Sequence, residues 1–391
     1  MESLKIAFYS DTYLPAVDGV VTSMLTAKAE LEKMGHEVFI FTSGDARSKK
    51  RYSSRHVFVM QGVNFRPYPQ YKLAIFPYHA VFKAQSLNLD LIHAQTPFAI
   101  GFTALLTAKL LKYPIVGSYH TMVNNKALEA YHPKNARIKK FTTKYLWKYT
   151  KFFYRRCDAT IAPSGVVEKI LKRYKIKNVH IVPNAIDTKR FNPMITGDYF
   201  RKKLGIKDRE KVVLYLGRIS REKNIDVLLK AAHELRRRGD IRFIIGGTGP
   251  MLASYQEMAR RLGLSNVSFL GFISDVALPS LYAASDMLCT PSTFETQGIV
   301  PLEAMATGKP VVAANALALK EIVKNGKNGE KFNPGNYLQC AKKIEKILNN
   351  GGAYKEGAVR TAKEFSAEKV TGDLIDVYRL VLSNNERRFT E

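Results

Sequence analysis

This chain of 391 residues is poor in the features that mark exported, metal-stapled or membrane-crossing proteins. Its three cysteines, Cys157, Cys289 and Cys340, lie far apart with no CxxC or ligand-like spacing. A disulfide framework or zinc site is therefore not expected, and a reducing compartment fits best. Long apolar runs are missing as well. The most membrane-like stretch, 97–111, is shorter than the roughly 20 residues a span needs and contains Thr103, Thr107 and Lys109, so it reads as a core helix. The opening MESLKIAFYSDTYLP reads as a first buried strand and not as a secretory leader. There is no low-complexity tract and no short repeat. Acid is scarce too: 34 Asp and Glu face 61 Lys and Arg, for a net charge of +27. The excess is uneven, since residues 1–190 hold 30 basic and 12 acidic side chains. Such a field attracts polyanions, either nucleic acid or an anionic membrane face, and charge alone leaves both open.

What the chain does contain is an alternation of apolar β-rich runs with helical patterns. IAFYS (6–10), EVFIFT (37–42), LIHAQ (91–95), PIVGSYH (114–120) and ATIAPS (159–164) form one series. KVVLYLG (211–217), IRFIIGG (241–247), VSFLGF (267–272), MLCTPS (287–292) and KPVVAA (309–314) form another. Strands that alternate with helices predict parallel sheets, here two of them, and the length suits two cores. The aperiodic, turn-rich 191–208 reads as the connection between domains 1–190 and 209–370. In doubly wound sheets, ligands bind beyond the carboxyl ends of the strands, so a cleft is expected beside that connection.

The most informative stretch is PSTFETQGIVPLEAMATGKPVV, 291–312. Glu295 and Glu303 flank Gly298 where a helix should begin. Ser292 and Thr293 are suited to cap it, Gly298 to let a ligand approach the backbone, and Pro301 to fill the first turn. The free amides and positive dipole end of such a helix attract phosphate. A glycosidase pair holds its carboxylates about 5 to 9.5 Å apart, whereas eight helical residues rise about 12 Å. The spacing thus suits the length of a sugar nucleotide better than one glycosidic bond. The plain alternative is a capped surface helix with solvated glutamates. After the strand at 211–217, Arg218 and Lys223 sit in a turn that suits a diphosphate, or is merely a solvated basic turn. Asp18-Gly19-Val20 precedes a helical pattern at 21–34 and offers another close approach to phosphate, or a simple turn. His120 ends an apolar strand.

Taken in order, these residues resemble the retaining GT-B glycosyltransferases of glycosyltransferase family 4. The resemblance rests on Glu295 and Glu303 with seven residues between them, the PxxxGV loop at Pro15, Gly19 and Val20, YHT at 119–121, PNAID at 183–187, GRISREKN at 217–224 and GTGP at 247–250. It implies an α/β fold of two Rossmann-like doubly wound domains facing across a cleft, with a C-terminal helix at about 371–391 completing the first domain. By the same resemblance the donor site comprises Gly19, Arg218, Lys223, Glu295, Thr296, Gln297, Gly298, Ile299 and Glu303. Arg218 and Lys223 hold the diphosphate, Glu303 the ribose, Glu295 a hexose hydroxyl, and His120 touches the hexose without serving as general base. His120, Glu295, Arg218 and Lys223 are the catalytic set. Asp18 and Asn224 replace glycines common in the family, which puts one phosphate contact in doubt and predicts a slightly altered turn. No D-x-D sequence occurs and cations can replace a divalent ion, so no metal and no cofactor is expected beyond the nucleotide-sugar donor.

From Pro133 to Cys157 the chain has nine basic residues and no acidic one. Arg137, Lys140, Lys144, Lys148, Lys151 and Arg155 follow helical steps beside a stripe of Ile138, Phe141, Tyr145, Tyr149 and Phe152. An interfacial helix on anionic lipid shows this pairing; so does a helix whose aromatic stripe packs inward. The segment TPFAIGFTALLTAKLL with YHTM also resembles the subgroup that glycosylates diacylglycerol. The expectation is a cytoplasmic enzyme, peripheral on the inner face of the cell membrane, that moves a hexose from a nucleotide sugar to a lipid hydroxyl. UDP-glucose is the first choice of donor and GDP-mannose the next. A soluble sugar or glycan acceptor is the enzyme alternative, and a nucleic-acid-binding protein on an inactive GT-B scaffold is the alternative of another class.

Overall fold

A computed structural model describes residues 3–16, 18–64, 72–74, 78–120 and 136–390, with the side chains of 64, 72, 73, 136–143 and 386–390 outside the description. The chain forms two compact units, 1–185 with 367–391, and 186–366.

The first unit begins β1 (Lys5–Ser10), α1 (Gly19–Lys33), β2 (Glu37–Gly44), α2 (Ala46–Tyr52), β3 (Val57–Asn64), β4 (Lys72–Ala74), α3 (Tyr78–Leu87), β5 (Leu91–Ala94) and α4 (Ala99–Leu111). It continues β6 (Ile115–Ser118), α5 (Ala136–Tyr154), β7 (Ala159–Ala162), α6 (Gly165–Arg173) and β8 (Val179–Ile181). The sheet order is β4-β3-β2-β1-β5-β6-β7-β8, parallel except where β3 meets β4. Apart from exposed Lys5 at the start of β1, its central strands are buried throughout. That is why they read as unbroken apolar runs and not as alternating ones.

The second unit comprises α7 (Asp198–Lys203), β9 (Lys211–Leu216), α8 (Ile225–Glu234), β10 (Ile241–Gly246), α9 (Leu252–Arg261), β11 (Val267–Gly271), α10 (Leu278–Ala284), β12 (Met287–Thr290), α11 (Ile299–Ala306), β13 (Val311–Ala314), α12 (Leu319–Ile322), β14 (Gly329–Phe332), α13 (Tyr337–Asn350) and α14 (Gly352–Lys363). Its all-parallel order β11-β10-β9-β12-β13-β14 is the Rossmann arrangement, with the switch point between β9 and β12. In the first unit the corresponding switch falls between β1 and β5. The last helix, α15 (Ala367–Thr390), belongs to the first unit, where Val370, Leu374, Tyr378 and Val381 join the core of β1, β2 and β6.

The expected connection at 191–208 is not a linker. The division falls at 185/186 and 366/367, and Phe191, Phe200 and Ile206 are buried in the second unit's core. Arg201 also donates to the Ala284 carbonyl at 3.1 Å. The segment lacks a regular period because it wraps the sheet irregularly, yet its apolar residues are still used. Strands β3, β4, β8 and β14 were not foreseen. Cys289 and Cys340 meet with their sulfurs 3.7 Å apart, a non-bonded separation.

Candidate active site

The second unit's switch point is bordered by the loops that follow β9 and β12. After Leu216 the chain turns at Gly217, whose φ is +143°. Neighbouring Gly247 has φ +131°, and a Cβ there would stand 1.8 Å from the Gly217 carbonyl oxygen. GTGP is thus required by backbone packing: Ile219 N–H donates to Thr248 O at 2.8 Å and Met251 N–H to Ile219 O at 3.1 Å. Buried Tyr215 donates its hydroxyl to Arg218 O at 3.0 Å. This scaffold fixes the turn that carries Arg218 and Lys223. Asn224, where a glycine was the family norm, has φ +51°, a left-handed conformation that asparagine tolerates. Its side-chain amide donates to Pro291 O at 3.3 Å and Thr293 Oγ1 at 3.0 Å. The departure from glycine therefore ties one motif loop to the other.

That tie brings together residues 72 positions apart: Lys223 Nζ lies 2.6 Å from Glu295 Oε1, with both side chains about one-fifth exposed. The helix expected near Ser292 starts later, at Ile299. Ser292 and Thr293 do not cap it; the first accepts from Phe294 N–H at 3.3 Å and the second from Asn224. Glu295 to Gly298 form a loop, with Gly298 at φ +101°, so the helical rise estimated between Glu295 and Glu303 does not apply. Thr296 and Gln297 continue that loop, Gln297 being buried, and Ile299 is the first helical residue. Neither Gly298 nor Asn224 caps the helix it precedes with its own side chain. Two helix starts with cations beside them suit a bound anion.

Glu303 is buried and accepts a 2.7 Å hydrogen bond from Tyr282 Oη. Burial pushes its carboxyl up to about 7, against the stabilising hydrogen bond and the charge of Arg190. Arg190 is paired with Asp275 at 2.9 Å and lies over the Phe191 ring. Tyr282 and Arg190 were missed from sequence, because nothing local links them to a glutamate 21 or more residues away.

The first unit treats its helix starts differently. Asp18 caps α1, accepting from Val20 N–H and Val21 N–H, both at 2.9 Å, and Thr12 donates to it at 3.0 Å. The amides next to Gly19 are therefore already held by a carboxylate, where the sequence suggested a phosphate. Asp11, also missed, is fully buried beyond β1. It accepts from Thr96 Oγ1 at 2.6 Å and from Ile100 N–H at 2.8 Å at the start of α4. Burial raises it to about 6, opposed by those bonds. Gly101 is obligatory here, since a Cβ would sit 1.8 Å from Thr96 O.

His120 follows β6 with Nε2 3.0 Å from Gln95 Oε1. Burial pushes it down to about 4, and a hydrogen bond with the Asn184 side chain opposes the shift. The YHT and PNAID motifs thus meet. Gln95 Nε2 lies 3.2 Å from His93 Nδ1, and His93 contacts Tyr378 Oη at 2.6 Å and Ser118 Oγ at 2.8 Å.

On α5, Lys144 and Lys148 are exposed. Lys151 lies over the Tyr174 ring, and Arg155 donates to Lys175 O at 3.2 Å and Tyr174 O at 3.3 Å, closing the end of α6. The side chains of Arg137, Lys140, Ile138 and Phe141 lie outside the described residues. Of the expected aromatic stripe, Tyr145 and Phe152 are 53% and 40% exposed; Tyr149 is half-buried and donates to Pro97 O. The helix buries Thr150, Phe153 and Tyr154 instead, and Trp147 stacks on Tyr174. Helix α4, read as a core helix, buries only one face: Phe102 and Leu110 are 48% and 61% exposed. Among the described residues no helix is long and apolar enough to cross a membrane.

Two Rossmann-like units, each a doubly wound and largely parallel sheet with a switch point between strand ends, define an α/β protein. The chain belongs to the glycosyltransferases: residues 17–190 match the family model described as Glycosyltransferase Family 4, and residues 198–365 match Glycosyl transferases group 1. It is 36% identical over 321 residues to an alpha-monoglucosyldiacylglycerol synthase of Streptococcus pneumoniae, covering 79% of this chain and 71% of that one. It is 28% identical to an alpha-monoglucosyldiacylglycerol synthase of Acholeplasma laidlawii, over 99% of this chain and 100% of that one. Among solved structures it resembles Anabaena HepE, crystallised with UDP and glucose, at a TM-score of 0.75 and 21% identity, covering 95% and 98% of the two chains. That likeness supports the GT-B fold.

Proposed function

We propose that this glycosyltransferase moves glucose from UDP-glucose to a lipid hydroxyl such as that of diacylglycerol, at the surface of an anionic membrane, with retention and without a metal ion. The carrying observation is the second unit's switch point: Lys223 beside Glu295, Arg218 on the same scaffolded turn, and two helix starts that Asn224 and Gly298 do not cap with their own side chains. A diphosphate there receives charge-assisted hydrogen bonds, and its growing charge on departure is stabilised by groups already in place. Thr296, Gln297, Gly298 and Ile299 form the backbone wall of that site, Glu303 reads the ribose, and Glu295 reads a hexose hydroxyl. His120 contacts the sugar being transferred. The leaving phosphate accepts the acceptor's hydroxyl proton, so positioning and electrostatics carry the reaction.

The names of the two relatives support glucose and diacylglycerol, and their alpha designation, with an alpha-linked donor, corresponds to retention. The exposed Lys144 and Lys148 beside Tyr145 and Phe152 support docking on anionic lipid, at the inner face of the cell membrane. The test is incubation with UDP-glucose and diacylglycerol in phosphatidylglycerol vesicles with excess EDTA, reading the product by mass and by its anomeric proton coupling. An alpha-glucosyl lipid is expected. Transfer only from GDP-mannose, only to soluble sugars, or only with added metal would contradict the proposal.

A further inference from the structure

The polar chain behind His120 has a direction that follows from its donors and acceptors. Gln95 presents its amide nitrogen to His93 Nδ1 at 3.2 Å and its carbonyl oxygen to His120 Nε2 at 3.0 Å. An amide nitrogen only donates and an amide oxygen only accepts. His93 Nδ1 must then be a lone-pair nitrogen, which Tyr378 also addresses with its hydroxyl at 2.6 Å. The His93 proton sits on Nε2 and goes to Ser118 Oγ, 2.8 Å away. At the other end, His120 must carry its proton on Nε2 to meet Gln95 Oε1. Turning the Gln95 amide over would demand a proton on His93 Nδ1, aimed at Tyr378. That hydroxyl, wholly buried on α15, would then lose the acceptor for its own proton, at the cost attached to any buried unpaired donor.

We propose that Gln95 is a positioning residue: it holds His120 in the Nε2–H tautomer, so that Nδ1 presents a lone pair, and His93 with Tyr378 of the last helix fixes the orientation of Gln95. The inference rests on the reading that His120 takes part in transfer. Its chemical content is that His120 donates from Nε2 to Gln95 and offers Nδ1 to the sugar as a hydrogen-bond acceptor, as a hydroxyl requires, and not as an acid. Both imidazoles are held neutral by burial, His93 near 3 and His120 near 4. The small cavity beside them, about 30 Å³, is lined on its polar side by Ser23, His93, Gln95, Ser118, Asn184 and Thr371. Among the described residues no carboxylate or cation faces His120 there.

The full-length, ligand-free protein labelled with 15N-histidine, observed in long-range proton–nitrogen spectra at neutral pH, reports the tautomer directly. The expected spectrum assigns His120 a protonated Nε2 and a bare Nδ1. In Gln95→Glu a carboxylate faces the same nitrogen and favours the imidazolium. The acid limb of the kcat/KM profile should therefore lie at higher pH than in the wild type, with activity lost where Nδ1 becomes protonated. Tyr378→Phe, which keeps the packing, should cause a smaller loss of tautomer purity. A wild-type His120 protonated on Nδ1, or a Gln95→Glu profile and tautomer identical to wild type, would overturn the proposal. His120→Ala with full turnover would remove the underlying reading as well, whereas the wrong tautomer together with an inactive His120→Ala would remove only the role of Gln95.

Discussion

The two Rossmann-like units place the same architectural feature, the switch point between strand ends, under opposite electrostatic regimes. In the first unit the helix starts beside it carry the protein's own anions, Asp11 on α4 and Asp18 on α1. In the second, Asn224 and Gly298 stand at the starts of α8 and α11 without capping them by their own side chains, and Lys223 directly precedes Asn224. Net charge would not have revealed this. By sequence the first unit holds 32 Lys and Arg against 16 Asp and Glu, and the second 29 against 18, so both are basic. What separates them is where single carboxylates sit relative to helix amides. One fold thus sets carboxylates on its helix amides in one copy, and in the other begins its helices at residues that do not cap them.

The largest expected effect comes from removing the receptor's cation. Lys223→Ala should lower kcat by about 10² to 10³ with UDP-glucose, the range seen when a preorganised transition-state donor is lost. Asp11→Asn in the first unit is the matched control. It should cost about 1 to 3 kcal/mol of stability, because buried amides lose a charged acceptor, with donor affinity unchanged within about twofold. Donor binding that followed Asp11 and ignored Lys223 would invert the comparison.

A second contrast lies in pH. Glu303 is raised from 4.5 to about 7, so the folded state holds its proton more tightly than the unfolded chain. Its contribution is fully present below about pH 4.5 and is lost as pH climbs through 7, a total on the order of 3 kcal/mol. His120 and His93 are lowered from 6.5, so their contribution is present above 6.5 and is lost as pH falls toward 4. Melting curves should therefore show Glu303→Gln gaining relative to wild type at pH 8 and not at pH 5, with His120→Gln gaining at pH 5 and not at pH 8. Parallel shifts in the two variants would contradict the assigned burial. Because Asp11 is also raised, the comparison is made between variants and not from the wild-type curve alone.

Smaller effects sharpen the surface contrast. Replacing exposed Lys144 and Lys148 by alanine should weaken binding to phosphatidylglycerol vesicles by roughly 2 kcal/mol, at about 1 kcal/mol per cation, and leave phosphatidylcholine binding unchanged; equal losses on both lipids would point to misfolding. Asn224→Gly should change turnover by only about twofold, since glycine accepts the left-handed turn while the two bonds to the 291–293 loop are lost.

Much of this was legible in the sequence where burial is continuous. β1, β5, β6, β9, β12 and β13 are covered on both faces, so their apolar runs announce them. β14, GEKF, gives no such signal, because its buried Glu330 is answered by Lys343 and Lys346 on α13, each at 2.6 Å. β8 is three residues long and half exposed. At the site, Lys223, Arg218, Glu295 and Glu303 stood out by spacing and turn position and were given roles by the motif resemblance, while Asp11, Gln95, His93 and Tyr282 escaped notice. Each of those acts through a partner brought near by the fold, Tyr378 standing 285 positions from His93. The helix start was misplaced because Ser292 and Thr293 look like caps, although the chain spends them on loop contacts before Gly298 turns it into α11.

The proposal that the second unit's cations and helix starts receive a nucleotide diphosphate without a metal is tested by calorimetric titration of UDP-glucose in excess EDTA into the wild type and Lys223→Ala. Saturable binding to the wild type is expected, with at least about tenfold weaker binding to the variant from the loss of one charge-assisted contact. Equal affinity in both proteins, or binding that appears only when a divalent ion is restored, would contradict it.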